Sequence, residues 1–450
     1  MRVTAADFES RAGEIGRAEA WFEQYGRLTR TTSDPKAPLA TGPVLVNSGA
    51  LTRTVHLPLV TSTEADPVVE RRAIWVTRYD WTSLTNAPVP QDIDEIVANV
   101  ASAGFNTIFF QVRGAGDAYY TPGREPWADR LTTGPVSETL GVDPGWDPLA
   151  RMIQQAHAAG IEVHAYVNVY TAWLSPANET YGHLWPPATV PAQMFDAFTY
   201  GPTYTAHPGV HGFGYAWRQH DESLTPMALD WGSYLWASPG VDEVQAHVAA
   251  VVGDIVTRYE VDGVHLDLVR YAGRGQSYDP FSNATAGSVK TQQRDQWQRD
   301  RVTALVSQVR ADAIALRPGS LVSAAVWPTY LDLWGWGTSE GYSDYYQDSK
   351  GWLINDAIDA IAPMLYGGLT DDQATWQVLM ADFAALAPYG TVLPGIGGTY
   401  ADFGAIGARI EAVRAAGLDG HAIFSYSGID GMGYWDDLAA GPYSIPAVLP

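Results

Sequence analysis

The chain has 450 residues, and its 46% hydrophobic and 17% charged fractions indicate a folded protein with a large core. Its 50 acidic and 27 basic residues give a net charge of −23, which repels phosphate backbones and anionic lipids and argues against nucleic acid or membrane partners. The absence of cysteine excludes disulfides, thiolate nucleophiles and thiolate metal sites.

Residues 1–70 are predicted to form an amino-terminal extension. Apolar residues recur three or four positions apart over residues 1–33, which is typical of an amphipathic helix. Residues 34–70 are proline-rich and irregular, with one strand expected at Thr54–Leu59. Five acidic residues lie within the first 30 positions, where a signal peptide needs an apolar stretch, so we expect no export signal at Met1. No apolar run approaches the roughly 18 residues of a transmembrane helix.

From Arg71 onward, strand and helix patterns alternate. The predicted strands are Ala73–Thr77, Thr107–Val112, Glu162–Val167, Gly263–Leu268, Leu321–Trp327, Ala360–Leu365, Val392–Ile396 and Ala422–Tyr426. The predicted helices are Ile93–Ala103, Leu149–Ala159, Val241–Tyr259, Gln292–Leu316, Thr375–Leu386 and Phe403–Ala415. Eight such units close most simply into a (β/α)8 TIM barrel, here over residues 71–440. A doubly wound open sheet is the alternative, although no Gly-x-Gly-x-x-Gly follows the first strand.

Two predicted connections are long. Tyr170–Pro239 follows strand three and Tyr271–Thr291 follows strand four. Both lie at the carboxyl ends of their strands, the face on which barrel enzymes build their active sites, so we expect functional loops there.

Strand four contains the first candidate catalytic residue. The period of two places His265 and Asp267 on one face of the strand and Val264 and Leu266 on the other. A carboxyl group that points inward at a strand end is costly to bury and undergoes a pKa shift, which suits acid/base chemistry. The alternative is a structural Asp267 that pairs with Arg270 or caps the following loop.

Other strand ends are polar in the same way. The candidates are Arg113 and Asp117 after strand two, His164 and Asn168 in strand three, and Tyr366 after strand six. His164 alone could be a core histidine and Asp117 a turn residue, but polar groups from four strands directed to one mouth exceed what stability requires.

The chain has 17 tryptophans, and many follow strands three and five. They are Trp173, Trp185, Trp217, Trp231 and Trp236, then Trp327, Trp334, Trp336 and Trp352. Aromatic faces stack on the apolar faces of sugar rings, so several platforms in a row suit an oligosaccharide. About half of these rings are expected to fill the cores of the long loops instead.

Other chemistries find no support in the motifs. The sequence has no phosphate-binding loop, no His-Glu-x-x-His and no nucleophile elbow. We expect no metal and no cofactor. His207, His211 and His220 with Asp221 fit no ligand spacing, and Ca²⁺ bound by aspartates is the least unfavourable metal alternative.

Several segments resemble a known family. They are Ala73–Val76, Gly104–Arg113, Gly116–Tyr120, Glu125–Trp127, Asp147–Leu149, His164–Asn168, Ser238–Val244, Val261–Asp267, Tyr346–Asp348 with Gly351 and Trp352, and Ile361–Tyr366. In this order they resemble the glycosyl-hydrolase-like family 10 proteins, bacterial barrels that include a divisome-localised glycosyl hydrolase acting on denuded peptidoglycan. The resemblance covers about Arg71 to Tyr426 and implies a cell-envelope or secreted protein. Members often carry a second acid after the strand-four aspartate, where this chain has Leu268.

The sequence and this resemblance together predict a glycoside hydrolase that cleaves O-glycosidic bonds of a polysaccharide or oligosaccharide with two carboxyl groups. Strand seven ends at Pro394–Gly398 without an acid, so a partner for Asp267 must come from a loop. The resemblance marks Asp348, and the next candidates are Asp332 or Glu340 in the same loop and then Asp117. The predicted substrate-binding residues are Arg113, Asp117, His164, Asn168, His265, Trp327, Trp352 and Tyr366. The alternatives are a catalytically silent carbohydrate-binding barrel and an acidic structural protein that binds no glycan.

Overall fold

Short β-branched and aromatic runs form a parallel barrel that is enclosed by helices. A computed structural model describes residues 66–83, 85–177, 217–276, 278–286 and 291–450. The barrel strands are β1 Arg71–Val76, β2 Thr107–Arg113, β3 Glu162–Asn168, β4 Gly263–Asp267, β5 Leu321–Val326, β6 Ala360–Pro363, β7 in two segments Thr391–Val392 and Gly395–Gly397, and β8 Gly420–Phe424.

A helix follows each strand. The helices are α1 Pro90–Ala103, α2 Pro148–Ala158, α3 Asp242–Arg258, α4 Thr291–Leu316, α5 Ser349–Ile354, α6 Gln373–Ala384, α7 Phe403–Ala415 and α8 Trp435–Ala440. Further helices lie in the connections at Val136–Thr139, Pro280–Ala286, Gly341–Asp344 and Tyr426–Met432. No described helix combines the length and apolar composition that crossing a bilayer requires.

The sheet closes on itself at β7. The first segment of β7 pairs with β6 and the second pairs with β8, all in parallel. Between the segments, the amide of Leu393 donates to the carbonyl of Ile361 at 2.9 Å, and the carbonyl of Pro394 accepts from the amide of Ala422 at 3.2 Å. Because β7 bonds to both neighbours, no edge remains unpaired and the predicted TIM barrel is confirmed.

The two faces of each strand enter different cores. Alternation along β1 places Trp75 in the barrel interior, whereas Ile74 and Val76 pack against the helices. The interior cluster consists of Ala73, Trp75, Phe109, Tyr166, Ala362, Leu393 and Ala422. Aromatic side chains therefore fill the upper part of the barrel beneath the carboxyl ends of the strands.

Strand bounds agree with the predictions to within two residues. β1 begins earlier than predicted, at Arg71, because two buried arginines continue the strand. Arg72 donates to Glu70 at 2.9 Å and Arg71 pairs with Glu162, so ion pairs offset the desolvation of both guanidinium groups. A short parallel pair, Val68–Val69 with Ala447–Val448, joins the two ends of the described chain.

The long connections contain structure of their own. After β3, the strand Thr171–Leu174 pairs antiparallel with Tyr234–Trp236. The helix Pro280–Ala286 lies in the connection after β4. The helix predicted over residues 1–33, the strand predicted at Thr54–Leu59 and most of residues 170–239 lie outside the described residues.

Trp352→Ala should lower the free energy of unfolding by about 3–5 kcal/mol, measured by urea denaturation. Trp352 on α5 is fully buried, and its indole donates to Thr303 Oγ1 on α4 at 2.9 Å. The exposed Trp336→Ala serves as the control and should change stability by no more than about 0.5 kcal/mol. Equal effects of the two substitutions would show that α5 does not pack as described.

Candidate active site

The carboxyl ends of the strands form a mouth with Asp267 on one wall. Asp267 is the last residue of β4, and it pairs in register with Asn168 at the end of β3. Its carboxylate accepts from the Tyr166 hydroxyl at 2.6 Å and from the amide of Leu268 at 2.6 Å. Leu268 adopts a φ of 49°, so the chain turns sharply where the strand ends. The carboxyl group is thereby held on a rigid element.

Burial raises the pKa of Asp267 above its ordinary value. The hydrogen bond from Tyr166 and the positive charges of Arg270 and Arg78 oppose this shift without cancelling it. The side chain therefore holds its proton to a higher pH than an exposed aspartate does.

Aromatic rings form the floor of the mouth next to Asp267. Tyr366, which follows β6, stacks on Phe424 of β8 with ring centroids 4.5 Å apart. Trp75 packs edge-on against both rings at 5.7 and 5.9 Å. The mouth thus combines a carboxyl group with a broad apolar surface, an arrangement suited to a ligand with both polar and apolar faces.

Arg78 forms the adjacent wall. Its amide and its Nη1 both donate to Gln111 Oε1 at 3.0 Å, and its Nη2 donates to the hydroxyls of Tyr79 and Tyr234. These contacts join the connection after β1 to β2 and to the strand pair after β3. The guanidinium is buried and contributes positive charge near Asp267.

Arg113 and Asn168 lie close together under the mouth. Arg113 is fully buried and forms a bidentate ion pair with Glu125, with N–O distances of 2.7 and 2.8 Å, and it also donates to the carbonyl of Asn168. Burial favours a raised pKa for Glu125, but Arg113 and His247 hold it at about 2. Arg113 therefore ties the connection after β2 to the end of β3. Asp117 accepts from the amides of Gly114 and Ala115 and shapes the same connection.

The two predicted histidines lie inside the barrel. Trp75 Nε1 can only donate, and its partner at 2.9 Å is His265 Nε2, so His265 is neutral with its proton on Nδ1 facing Ser323 Oγ at 2.8 Å. Burial and the charge of His164 place the pKa of His265 well below its ordinary value. His164 contacts Glu162 near the start of β3, at the end of the barrel opposite the mouth.

Among the described residues, these tryptophans divide into buried and exposed side chains, and Trp352, which the sequence predicts to bind substrate, is among the buried ones. Trp352 and Trp217 are buried in packing contacts, as are Trp173 and Trp236, whereas Trp336 is 37% and Trp231 43% exposed. Trp327 is partly buried and donates to the carbonyl of Ser339 at 2.8 Å. Trp185 lies outside the described residues.

The loop acids organise their own segments. Asp348 caps α5 by accepting from Gly351 N, and it also accepts from the Tyr330 hydroxyl at 2.7 Å. Asp332 accepts from the amides of Trp334, Trp336 and Gly337, and Glu340 accepts from the amide of Asp332 and from Ser343.

No three His, Asp or Glu side chains of the described residues converge as metal ligands. His220 is buried and its Nδ1 contacts the carbonyl oxygen of Arg218 at 2.8 Å, while His207 and His211 lie outside the described residues.

The sequence matches the family model described as glycosyl hydrolase-like 10 over residues 70–194 and 211–386. The chain belongs to the glycosyl hydrolase-like 10 family. It is similar to the glycosyl hydrolase YngK of Bacillus subtilis (strain 168), with 26% identity over 341 residues, covering 72% of this chain and 59% of YngK. It is also 26% identical over 351 residues to the glycosyl hydrolase DigH of Escherichia coli (strain K12), covering 72% of this chain and 70% of DigH.

A solved structure supports the fold independently. The PgaB (BpsB) glycoside hydrolase domain from Bordetella bronchiseptica covers 85% of this chain and 100% of that domain, with a TM-score of 0.54 and 14% identity. At this identity the likeness concerns the barrel alone. The chain spans less than two thirds of the length of YngK.

In this glycosyl hydrolase-like 10 barrel, the sequence reasoning missed the residues that follow β1. Asp80 accepts from the amides of Thr77 and Ser427, at 2.5 and 3.2 Å, and burial raises its pKa to about 6. Arg78 and Asp80 lie directly after a predicted strand. Polar residues at the ends of strands two, three and six are candidates on sequence grounds, and the same criterion identifies these two residues.

Replacing Asp80 with asparagine should change the pH dependence of stability. An unfolded aspartate has a pKa near 3.8, so between about pH 4 and pH 6 the folded wild type retains a proton that the unfolded chain releases. The contribution of Asp80 to stability therefore falls as the pH rises through this range. The free energy of unfolding of Asp80→Asn, relative to wild type, should rise from pH 4 to pH 7 in urea titrations.

Asp300→Asn on the exposed face of α4 is the surface control. A difference in unfolding free energy between Asp80→Asn and wild type that stays constant from pH 4 to pH 7 would contradict the burial of the Asp80 carboxyl group.

Proposed function

We propose that this barrel hydrolyses O-glycosidic bonds of a polysaccharide or oligosaccharide and that Asp267 is a catalytic residue. The family, the barrel shared with glycoside hydrolases and the aromatic floor support a carbohydrate substrate. The observation that carries the proposal is the Asp267 carboxyl group, which lies at the mouth with a raised pKa.

The raised pKa suits the proton donor. Hydrolysis needs one acid that protonates the leaving oxygen while positive charge develops on the sugar ring. Burial that keeps a carboxyl group protonated is the general means of preparing such an acid. Tyr166 fixes the orientation of the Asp267 side chain through its hydrogen bond to Oδ2, and the tyrosine is itself held in the barrel interior. We assign Asp267 the role of proton donor.

The second carboxylate is Asp348 or Asp80. Asp348 lies in a segment that matches the family, but its Oδ1 also serves the amino terminus of α5. Asp80 lies directly beyond β1 and, with a pKa of about 6, is largely ionised at neutral pH, as a base or nucleophile must be. Asp348 and Asp80 lie in different connections, so single substitutions can show which of them is the second carboxylate.

A catalytically silent carbohydrate-binding barrel is the second candidate. Leu268 stands where members of the family often carry an acid, and Asp348 already functions as a helix cap. Both observations reduce the carboxylates available for chemistry and leave the aromatic surface intact. This candidate requires glycan binding without the release of reducing ends.

Asp267→Asn should reduce the release of reducing ends from a screened panel of polysaccharides by about 10²–10⁴-fold, because asparagine cannot donate the proton. Asp348→Asn should have a weaker effect, and a larger loss in Asp80→Asn would identify Asp80 as the second carboxylate. Circular dichroism and glycan binding should remain at wild-type levels in Asp267→Asn.

Asp300→Asn is the matched control and should retain full activity. Near-wild-type turnover by Asp267→Asn on a confirmed substrate would place the catalytic pair elsewhere in the mouth. If wild type and every variant bind glycans but release no reducing ends, even at high protein concentration, the barrel is a catalytically silent carbohydrate-binding protein.

The connection after β5 presents an aromatic platform of Trp334 and Trp336. The two rings stack with centroids 4.6 Å apart, and Asp332 holds the loop by accepting three backbone amides. Because the loop follows the carboxyl end of β5, the platform lies on the same side of the barrel as the mouth. A longer glycan could extend onto it.

Trp336→Ala should raise KM for long oligosaccharides about 3–10-fold with little change in kcat, as expected for the loss of one stacking contact. Short oligosaccharides should show no change, since they do not reach the platform. Tyr389→Ala is the control: Tyr389 is 56% exposed but lies between α6 and β7, at the opposite end of the barrel. A KM effect independent of chain length would argue against this extended subsite.

A further inference from the structure

Arg270 is a buried cation at the mouth of the barrel. It lies three residues beyond Asp267, is 6% exposed, and is surrounded by aromatic rings. The centre of its guanidinium lies 4.6 Å from the ring centroid of Tyr345, 5.1 Å from that of Trp236 and 5.3 Å from that of Trp327. These rings belong to the connections after β3 and β5, so three sides of the mouth meet at Arg270.

The hydrogen bonds of Arg270 leave most of its donors unused. Nη1 donates to the carbonyl of Tyr271 at 3.1 Å, and no other acceptor and no carboxylate within 4.0 Å is found for the guanidinium among the described residues. By contrast, the buried Arg72 and Arg113 pair with Glu70 and Glu125. A guanidinium has five N–H donors, and one that is buried without a counterion is costly.

The aromatic rings offset part of this cost through cation–π attraction, but they supply no hydrogen-bond acceptor for the N–H donors along the edge of the planar guanidinium. Asp267 is close enough for the two charges to influence each other, although it does not contact Arg270. Arg270 therefore lies near the proposed proton donor, in the part of the mouth where the substrate would bind.

We propose that Arg270 binds the carboxylate of an acidic sugar unit, so that the substrate is a carboxylate-bearing glycan. This inference rests on the proposed function, because it places the ligand in the same mouth. A guanidinium matches the geometry of a carboxylate with two parallel hydrogen bonds, and the rings of Trp236, Trp327 and Tyr345 border the charge with apolar surface. The net charge of −23 repels anionic glycans at long range, so a local cation is needed to hold one.

A different role for Arg270 is purely electrostatic. Its charge opposes the raised pKa of Asp267, and substitution would then alter the pH profile of hydrolysis without any preference for acidic sugars. The two roles differ in what they predict for ligands that cannot be hydrolysed.

The test compares matched pairs of sugars that differ in a single carboxylate: glucuronate with glucose, and galacturonate with galactose. Binding is measured by ligand-observed NMR titration at constant ionic strength. Monosaccharides contain no glycosidic bond, so the binding result does not depend on catalysis. We expect wild-type protein to bind the acidic member of at least one pair about tenfold more tightly, as one charge-assisted pair provides.

Arg270→Gln should abolish this preference, and Arg270→Lys should retain part of it because the charge remains. Arg274→Gln is the matched control: Arg274 lies in the same connection, its side chain is 65% exposed and it pairs with Asp344 at 2.7 Å. The control should keep the wild-type preference. Thermal unfolding of each variant establishes that it is folded, and Arg270→Lys carries the test if Arg270→Gln does not fold.

Equal affinity within both pairs, no binding of either acidic sugar, or a preference that survives in Arg270→Gln would overturn the proposal. The first two results leave the proposed hydrolysis untouched, since neutral glycans would remain substrates. Conversely, if no glycan releases reducing ends, the proposed hydrolysis is wrong, but the preference for acidic sugars can still be measured.

Discussion

The hydrogen bond from the Trp75 indole to His265 organises the centre of this barrel. It makes His265 Nε2 an acceptor, which directs the proton on Nδ1 to Ser323 and places the ring flat on Phe109 with centroids 4.0 Å apart. One interaction thus joins β1, β2, β4 and β5 across the interior. Asp267 is two residues further along β4 on the same face, so its position depends on this packed layer.

Charge is arranged in layers around that centre. Below the mouth, the bidentate pair of Arg113 with Glu125 ties the connection after β2 to the end of β3, where Asn168 adjoins Asp267. In the mouth, Asp267 lies on an aromatic floor near the buried cations Arg270 and Arg78. Their charges only partly offset the effect of burial on its pKa. In the lower layer the buried charges are paired, whereas in the upper layer most N–H donors of Arg270 have no acceptor among the described residues.

The family places this chain among glycosyl hydrolase-like proteins, and the barrel it shares with a glycoside hydrolase domain at 14% identity shows how little of the sequence the fold requires. Chemistry in such barrels depends on the connections that follow the strands. Here those connections supply Arg78 and Asp80 after β1, Arg270 after β4 and the tryptophan platform after β5. The residues that distinguish the mouth of this barrel therefore lie in the connections that follow its strands.

The eight strands could be predicted from local patterns, because alternation with a period of two and helical spacing are properties of short segments. For the same reason the shared face of His265 and Asp267 could be predicted. The burial of Trp352, the exposure of Trp336 and the capping of a helix by Asp348 became visible only in the folded barrel. The same holds for the contacts of Arg270 with Trp236 and Trp327. These outcomes depend on residues that are distant in sequence and come into contact only when the barrel closes. Local periodicity in the sequence therefore does not predict them.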